Sequence, residues 1–463
     1  MERVSALAMR TESEHASGTL QQSLRMRHMT MISLGGVIGA GLFVGSGAVI
    51  QATGPAAIIS YAMAGLLVIF IMRMLGEMAV ARPSVGSFAE YGRIALGEWA
   101  GFLIGWLYWY FWVIVVAVEA TAGALTLHNW VLPGVPLWLL SLALLVILTL
   151  TNVFSVRSYG EFEYWFAFIK VAAIVVFIVL GALFVLGLWP HAHLNFSNLT
   201  KHGGFIPFGV GALFSSVTTL IFSFFGSEIV TIAAAESKEP ARSVARATNS
   251  VIWRVLVFYV LSIFLIVTIL PWNDPKALAS PYVNALKLLG VPGVASAMDV
   301  VVITAVLSCL NSGLYTASRM LFALAHQGNA PKNLLRVNRR GVPVRAILVC
   351  TIVGYLSIIM DYVSPQHVFL FLLNSSGAVG LFIYLLIACS QLRLRRQLNR
   401  DRVELPVKMW FYPYLTYLCI AGMVAVMISM VFHKGDVSQL VLSLVSVAVL
   451  LTIHWFRSAL TRR

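Results

Sequence analysis

The sequence predicts an all-α polytopic membrane protein: twelve transmembrane helices, ten of them forming a 5+5 inverted repeat with broken helices 1 and 6, plus two extra helices. Three observations carry that expectation. Hydrophobic residues make up 59% of the 463 positions and charged residues only 11%, with mean hydropathy +0.88, where soluble proteins carry roughly 25% charge. Apolar runs recur at about the 20 residues that a helix needs to cross a bilayer. These runs are continuously apolar rather than alternating, which selects helices over a barrel. Finally, glycine-rich or polar sequence interrupts the first and sixth runs.

Residues 1–28 are polar and lack the apolar core of a cleaved signal, so they are expected to form a cytoplasmic N-terminal tail. From Met29 to Met72 there is no Asp, Glu, Lys or Arg, too long a stretch for one helix, and Gly54-Pro55 supplies the break. Span 1 is therefore placed near 30–50 and span 2 near 56–80. The next spans fall near 99–125, 136–154, 163–188, 209–235, 250–271, 297–325, 344–361, 367–390, 409–432 and 437–457. Proline-rich turns at Leu132–Pro136 and Pro271–Pro275 separate neighbours, and 276–296 reads as a short surface helix. The chain thus divides into a first half at 29–200 (helices 1–5), a second at 201–400 (helices 6–10), and 401–463 with helices 11–12 and a short cytoplasmic C-terminus.

Basic residues set the orientation. With both termini inside, 28 of the 32 Lys and Arg lie on the cytoplasmic side, leaving Lys201, Lys276, Lys287 and Lys434 outside. The formal charge of +14 belongs to loops such as Arg339-Arg340 and Arg393–Arg396, which face anionic lipid, so membrane lipids rather than nucleic acid are the expected partner. Cys309, Cys350, Cys389 and Cys419 show no pairing or metal-ligand spacing and read as small buried hydrophobes. No nucleophile elbow, nucleotide-binding glycine loop or His-Glu-x-x-His zinc motif is present. An enzyme, a cofactor and a bound metal are accordingly not expected.

The informative feature is a pair of damaged helices. Span 1 carries Gly35-Gly36-Val37-Ile38-Gly39-Ala40-Gly41, and span 6 carries Phe222-Ser223-Phe224-Phe225-Gly226-Ser227-Glu228. Glycine in a membrane helix serves close packing, as in the small-xxx-small spacing of Gly35 and Gly39, or permits an unwound stretch whose backbone binds a ligand at the midplane. Four glycines in seven residues exceed what one packing face needs, which favours unwinding. The two interruptions stand about 190 residues apart, so that each opens one of two comparable five-helix halves, as in inverted-repeat secondary transporters.

The same segments resemble a known family. Leu34 to Gly45 is similar to the first-helix signature of amino acid permeases of the amino acid–polyamine–organocation superfamily, and Phe222 to Ser237 resembles the sixth-helix signature. Further likeness runs through Gly160 to Trp165, Arg246 to Arg254 and Ser308 to Leu321. Gly105-Trp106-Leu107-Tyr108-Trp109-Tyr110-Phe111-Trp112-Val113 and the Phe222–Ser237 segment resemble bacterial gamma-aminobutyrate permeases in particular. Where many relatives carry Gly-Thr-Gly and Gly-Thr-Glu, this chain has Gly39-Ala40-Gly41 and Gly226-Ser227-Glu228. The resemblance implies a small zwitterionic amino acid as substrate and protons as the coupling ion.

The amides of Gly39, Ala40 and Gly41, with Gly36 making room, are expected to hold the substrate carboxylate, because the start of a half-helix has unpartnered donors and a positive dipole end. Carbonyls near Val37, Ile38, Phe224 and Phe225 are candidates for the ammonium, with Phe222 and Ser227 beside them. Glu119, deep in span 3, serves substrate, proton or structure; an intramembrane carboxylate is costly. Lys170 in span 5 is read either as a lysine reaching the interface or, by resemblance to proton-dependent permeases, as the proton-coupling base. Glu228 is expected to stabilise the second break, Phe225 to gate it, Glu77 to serve a gate or packing, and Tyr315, Asn311 and Ser312 to line or support the cavity. Trp109 and Trp112 are read as cavity or core aromatics.

The expected function is secondary active uptake of gamma-aminobutyrate, or a closely related amino acid, by proton symport through alternating access in the bacterial inner membrane, with no obligate protein partner. A permease for alanine, proline or another small neutral amino acid is the alternative within transporters. A membrane sensor or scaffold is the alternative from another class.

Overall fold

The computed structural model describes residues 38–82, 87–154, 156–190, 194–228, 240–290, 292–338, 341–363, 365–432 and 436–461. Among the described residues there are helices and no strands. Among these residues, eight helical runs are long and apolar enough to cross a membrane, and three shorter apolar helices accompany them. The chain is a multi-pass helical membrane protein.

Chain order follows from local punctuation. A one-turn helix α1 (Ala40–Phe43) leads into α2 (Gly45–Thr53). At Gly54–Ala56 a 3-10 turn, with Gly54 at φ +66° and Pro55 fixing the next φ, passes the chain to α3 (Ala57–Ala81). Helix α4 (Ser87–Leu96) follows, its Arg93 bound by Glu90 and Glu98. After Gly97, at φ +111°, α5 (Glu98–Trp130) begins. Next come α6 (Leu137–Phe154), α7 (Val156–Val185) and α8 (Gly209–Phe224). Helix α9 (Pro240–Trp253) continues through a π-helical stretch, Arg254–Leu261, into α10 (Ser262–Ile269). Two short helices, α11 (Pro275–Leu278) and α12 (Pro281–Leu288), precede the long α13 (Val294–His326). Helices α14 (Val344–Val363), α15 (Pro365–Arg400), α16 (Tyr414–Phe432) and α17 (Val437–Thr461) complete the chain.

The core is built around α5, which runs alongside α13 and also packs on α4, α6 and α15; α8 packs against α15, α3 and α2. Small residues set the closest approaches. A Cβ at Gly377 of α15 would lie 1.8 Å from the Thr218 carbonyl of α8, so those helices meet backbone to backbone. Helix α16 packs on both α8 and α15, and α17 on α15 and α5; α17 is the least buried of the eight long runs.

Two expectations change. The sequence placed no helix at 87–96, because that segment is too polar to register as an apolar run. The 276–296 segment is not a surface helix: Tyr282, Val283, Ala285 and Leu286 are buried. Tyr282 packs its ring against Phe43 and Phe177 and hydrogen-bonds Ser262 Oγ at 2.8 Å. A Cβ at Gly47 would lie 2.0 Å from the Leu278 carbonyl, so this short pair rests directly on α2.

Candidate functional site

Polar backbone without helical partners must find side chains when water is excluded. At the first break Gly39 is extended (φ −146°, ψ −148°) and Ala40 opens α1, so the Ala40 amide has no partner within its helix. Buried Glu119, from α5, accepts it with both carboxylate oxygens at 3.2 Å. On the other side of the break the Ile38 carbonyl accepts from Lys170 Nζ of α7 at 3.0 Å and from Cys309 Sγ of α13 at 3.4 Å. Lys170 Nζ also lies 3.9 Å from Cys309 Sγ, and its side chain is fully buried. Three separate helices therefore hold the non-helical backbone at Ile38 and Gly39 that leads into α1.

The second break repeats the device. Helix α8 ends at Phe224; Phe225 is extended and Gly226 has φ +100°, a conformation that disfavours any side chain. The Gly226 amide donates to both oxygens of Glu228, at 3.0 and 2.9 Å. Ser227 Oγ donates to the Phe224 carbonyl at 2.7 Å and receives the guanidinium of buried Arg254. Tyr259 donates to the Ser223 carbonyl at 2.8 Å. Arg254 and Tyr259 both belong to the π-helical stretch, whose wider turn presents them to the break.

The two breaks face one another. A Cβ at Gly41 would stand 2.6 Å from Ser223 Oγ and 2.9 Å from Phe222 Cδ1. Between them lies a cavity of about 20 Å³ lined by Gly41, Phe111, Trp112, Val115, Glu119, Phe222, Ser223, Phe225 and Cys309. Room for about one water is all this offers, so the site is collapsed. Phe225 caps it, stacked on Tyr384 at 5.0 Å between ring centroids and against Phe111 at 3.8 Å. A second cavity of about 390 Å³, lined by Phe102, Trp106, Asn329 and Arg457 among others, touches neither break.

Of the residues expected to bind substrate, Gly41, Glu119, Phe222 and Phe225 line the cavity, and Ile38, Gly39 and Ala40 adjoin it through Glu119 and Cys309. Phe224 and Ser227 turn away, Phe224 packing on Tyr61 and Tyr259. Gly36 and Val37 lie outside the described residues.

The supporting residues divide in the same way. Glu228 sits on the second break. Glu77 does not: it accepts from Gln391 Nε2 at 2.9 Å, Arg395 at 2.6 Å and the Met409 amide at 2.6 Å, joining α3 to α15 and the segment before α16. Tyr315 packs under Arg319 and beside Val342 and Ile347, and Asn311 accepts from Asn152 at 2.7 Å. Trp112 lines the cavity, whereas Trp109 donates to Cys350. Among the described residues, no group of three His, Cys, Asp or Glu is placed to hold a metal.

Sequence reasoning missed Cys309, Arg254 and Tyr259. Cys309 looked like a small hydrophobe, and Arg254 was weighed only as a weak contributor to orientation. A signal was available for Arg254: it lies within apolar span 7, as Lys170 does within span 5.

A family model described as "Amino acid permease" matches residues 28–462. A Bacillus subtilis "Gamma-aminobutyric acid permease" is 53% identical over 93% of this chain and 92% of the relative, and the Escherichia coli protein of that name is 48% identical over 93% of each. An aromatic amino acid transport protein of Corynebacterium glutamicum is 38% identical over 90% of this chain and 92% of its own length. Among solved structures, a manganese transporter mutant from Eremococcus coleocola aligns over 94% of each chain with TM-score 0.60 at 14% identity, a likeness of fold alone.

Proposed function

The chain belongs to the amino acid permease family and is a transporter rather than an enzyme, and on that footing we propose that it takes up gamma-aminobutyrate, or a closely related amino acid, by proton symport through alternating access. The observation that carries the substrate assignment is its 48–53% identity to gamma-aminobutyrate permeases across nearly the whole chain. In this reading twelve helices cross the bacterial inner membrane with both termini in the cytoplasm, and helices 1–5 and 6–10 form the inverted halves that rock about the breaks.

The geometry suggests how binding proceeds. The Ala40 amide, expected to hold a substrate carboxylate, is occupied by the carboxylate of Glu119. An incoming substrate carboxylate replaces Glu119 there, and the displaced Glu119 then accepts the substrate ammonium. In gamma-aminobutyrate the two charged ends are farther apart than in an α-amino acid, which suits a partner reaching in from α5. Lys170 binds and releases the coupled proton beside Ile38 as the cavity changes access.

The test is competition of labelled gamma-aminobutyrate uptake in proteoliposomes by unlabelled amino acids, repeated under imposed proton and sodium gradients. Unlabelled gamma-aminobutyrate is expected to compete best and an inward proton gradient, not sodium, to drive accumulation. Stronger competition by alanine or proline would move the assignment to a small neutral amino acid, since one methylene redirects preference by only about 1–3 kcal/mol. Failure to accumulate any amino acid would favour a sensor or scaffold.

A further inference from the structure

Glu163, on α7, has no part in the site described so far, yet its side chain is fully buried. Ser308 Oγ of α13 donates to Oε2 at 2.7 Å, and the side chains of Asn311 and Ser312 on the same helix also face the carboxylate. A carboxyl group inside a membrane helix bundle is costly to keep and marks proton relays more often than packing.

Its position relative to Lys170 is informative. The two are seven residues apart, so they lie two turns from one another on one face of α7, with Glu163 about 10 Å nearer the cytoplasmic end along the helix axis. That face meets α13, where neighbouring residues serve the two groups: Cys309 lies beside Lys170 Nζ, and Ser308 holds Glu163. One turn beyond Ser308, Asn311 accepts from Asn152, two residues from the end of α6 at Phe154. Polar groups thus continue from the first break to the ends of α6 and α7 that basic residues assign to the cytoplasm.

We propose that Glu163 is the intermediate proton acceptor between Lys170 and the cytoplasm. The inference rests on the proton-symport reading above. One N–H bond of the Lys170 ammonium breaks, its electron pair staying on Nζ. The proton, passed by water or by the Ser308 hydroxyl, forms an O–H bond at Oε1 of the Glu163 carboxylate. That bond then breaks to a cytoplasmic water, giving hydronium and restoring the carboxylate. Of the titratable groups facing Glu163, Lys170 is on its own helix and Cys309 on α13, with Glu119 of α5 on the far side of Cys309.

The experiment uses the full chain in liposomes containing a pH-sensitive dye, with gamma-aminobutyrate added outside. For Glu163→Gln, luminal acidification per substrate is expected to fall by about tenfold while labelled counterflow at equal pH changes by less than about threefold. Glu163→Asp is expected to recover part of the proton flux. Acidification equal to wild type in Glu163→Gln would overturn the proposal, as would a parallel fall of acidification and counterflow, which is what loss of a merely structural contact would give. If Glu163→Gln does not fold, Ser308→Ala keeps the carboxyl and removes one of its donors. The pH of half-maximal uptake should then move by about one unit, and no movement would overturn the proposal. Wild-type protein that accumulates substrate without acidification would instead sink the symport reading itself.

Discussion

Gly39 is held between two side chains, and the space there sets what the position can carry. A Cβ would fall 2.5 Å from Cys309 Sγ and 2.6 Å from Glu119 Oε1, separations that force the break apart. Gly39→Ala is expected to reduce uptake by about tenfold through overpacking of about 1–3 kcal/mol, read as initial rate normalised to membrane level. Adding Cys309→Ala should restore part of the rate, a coupling that independent sites would not show. At Lys170 the prediction concerns coupling. Lys170→Ala should lose proton-driven accumulation by about tenfold more than it loses counterflow, and equal survival of both would remove Lys170 from the proton pathway. Both charged residues were legible in the sequence, because a charge within an apolar run stands out. Glu163 was not: it sits in Gly160–Trp165 at the polar edge of span 5, where a carboxylate attracts no notice until α13 is seen lying over it.

Among the elements, hydropathy located the long apolar helices, eight of which among the described residues could cross a membrane, and located their internal defects less evenly. The non-helical backbone at Ile38 and Gly39 lies within the glycine-rich run of the sequence, and the second break lies at Gly226-Ser227-Glu228, both visible in composition. The π-helical stretch at Arg254–Leu261 was hidden, since one added residue per turn leaves an apolar run apolar. Helix α4 escaped for the opposite reason, being short and polar. The same reasoning explains why the α8–α15 crossing was unpredicted: Gly377 is an ordinary glycine until a carbonyl is found 1.8 Å from where its Cβ would be. Gly377→Ala should therefore push α15 away from α8, the helix that runs into the second break, lowering the thermal midpoint in detergent by several degrees, about what 1–3 kcal/mol produces. An unchanged midpoint would show that the crossing relaxes easily.

Across the whole molecule, Glu77 ties the peripheral helices to the core, joining α3 to α15 and to the segment leading into α16. Removing one member of so buried an arrangement leaves Arg395 and the Met409 amide without their acceptor. Glu77→Ala should cost about 3–5 kcal/mol, measured by thermal unfolding, with the order of competing amino acids unchanged. A changed order would return Glu77 to a gating role. The Glu119–Ala40 contact bears on the transport cycle. A symporter must send its unloaded form back across the membrane, whereas an obligate exchanger must not. In the proposed symport cycle, a tethered carboxylate resting on the amide expected to receive the ligand would act as a surrogate passenger, allowing the empty carrier to make the return journey. Glu119→Gln, a weaker acceptor at that amide, should therefore slow efflux into substrate-free medium more than it slows one-for-one exchange, shifting a net pump toward a revolving door.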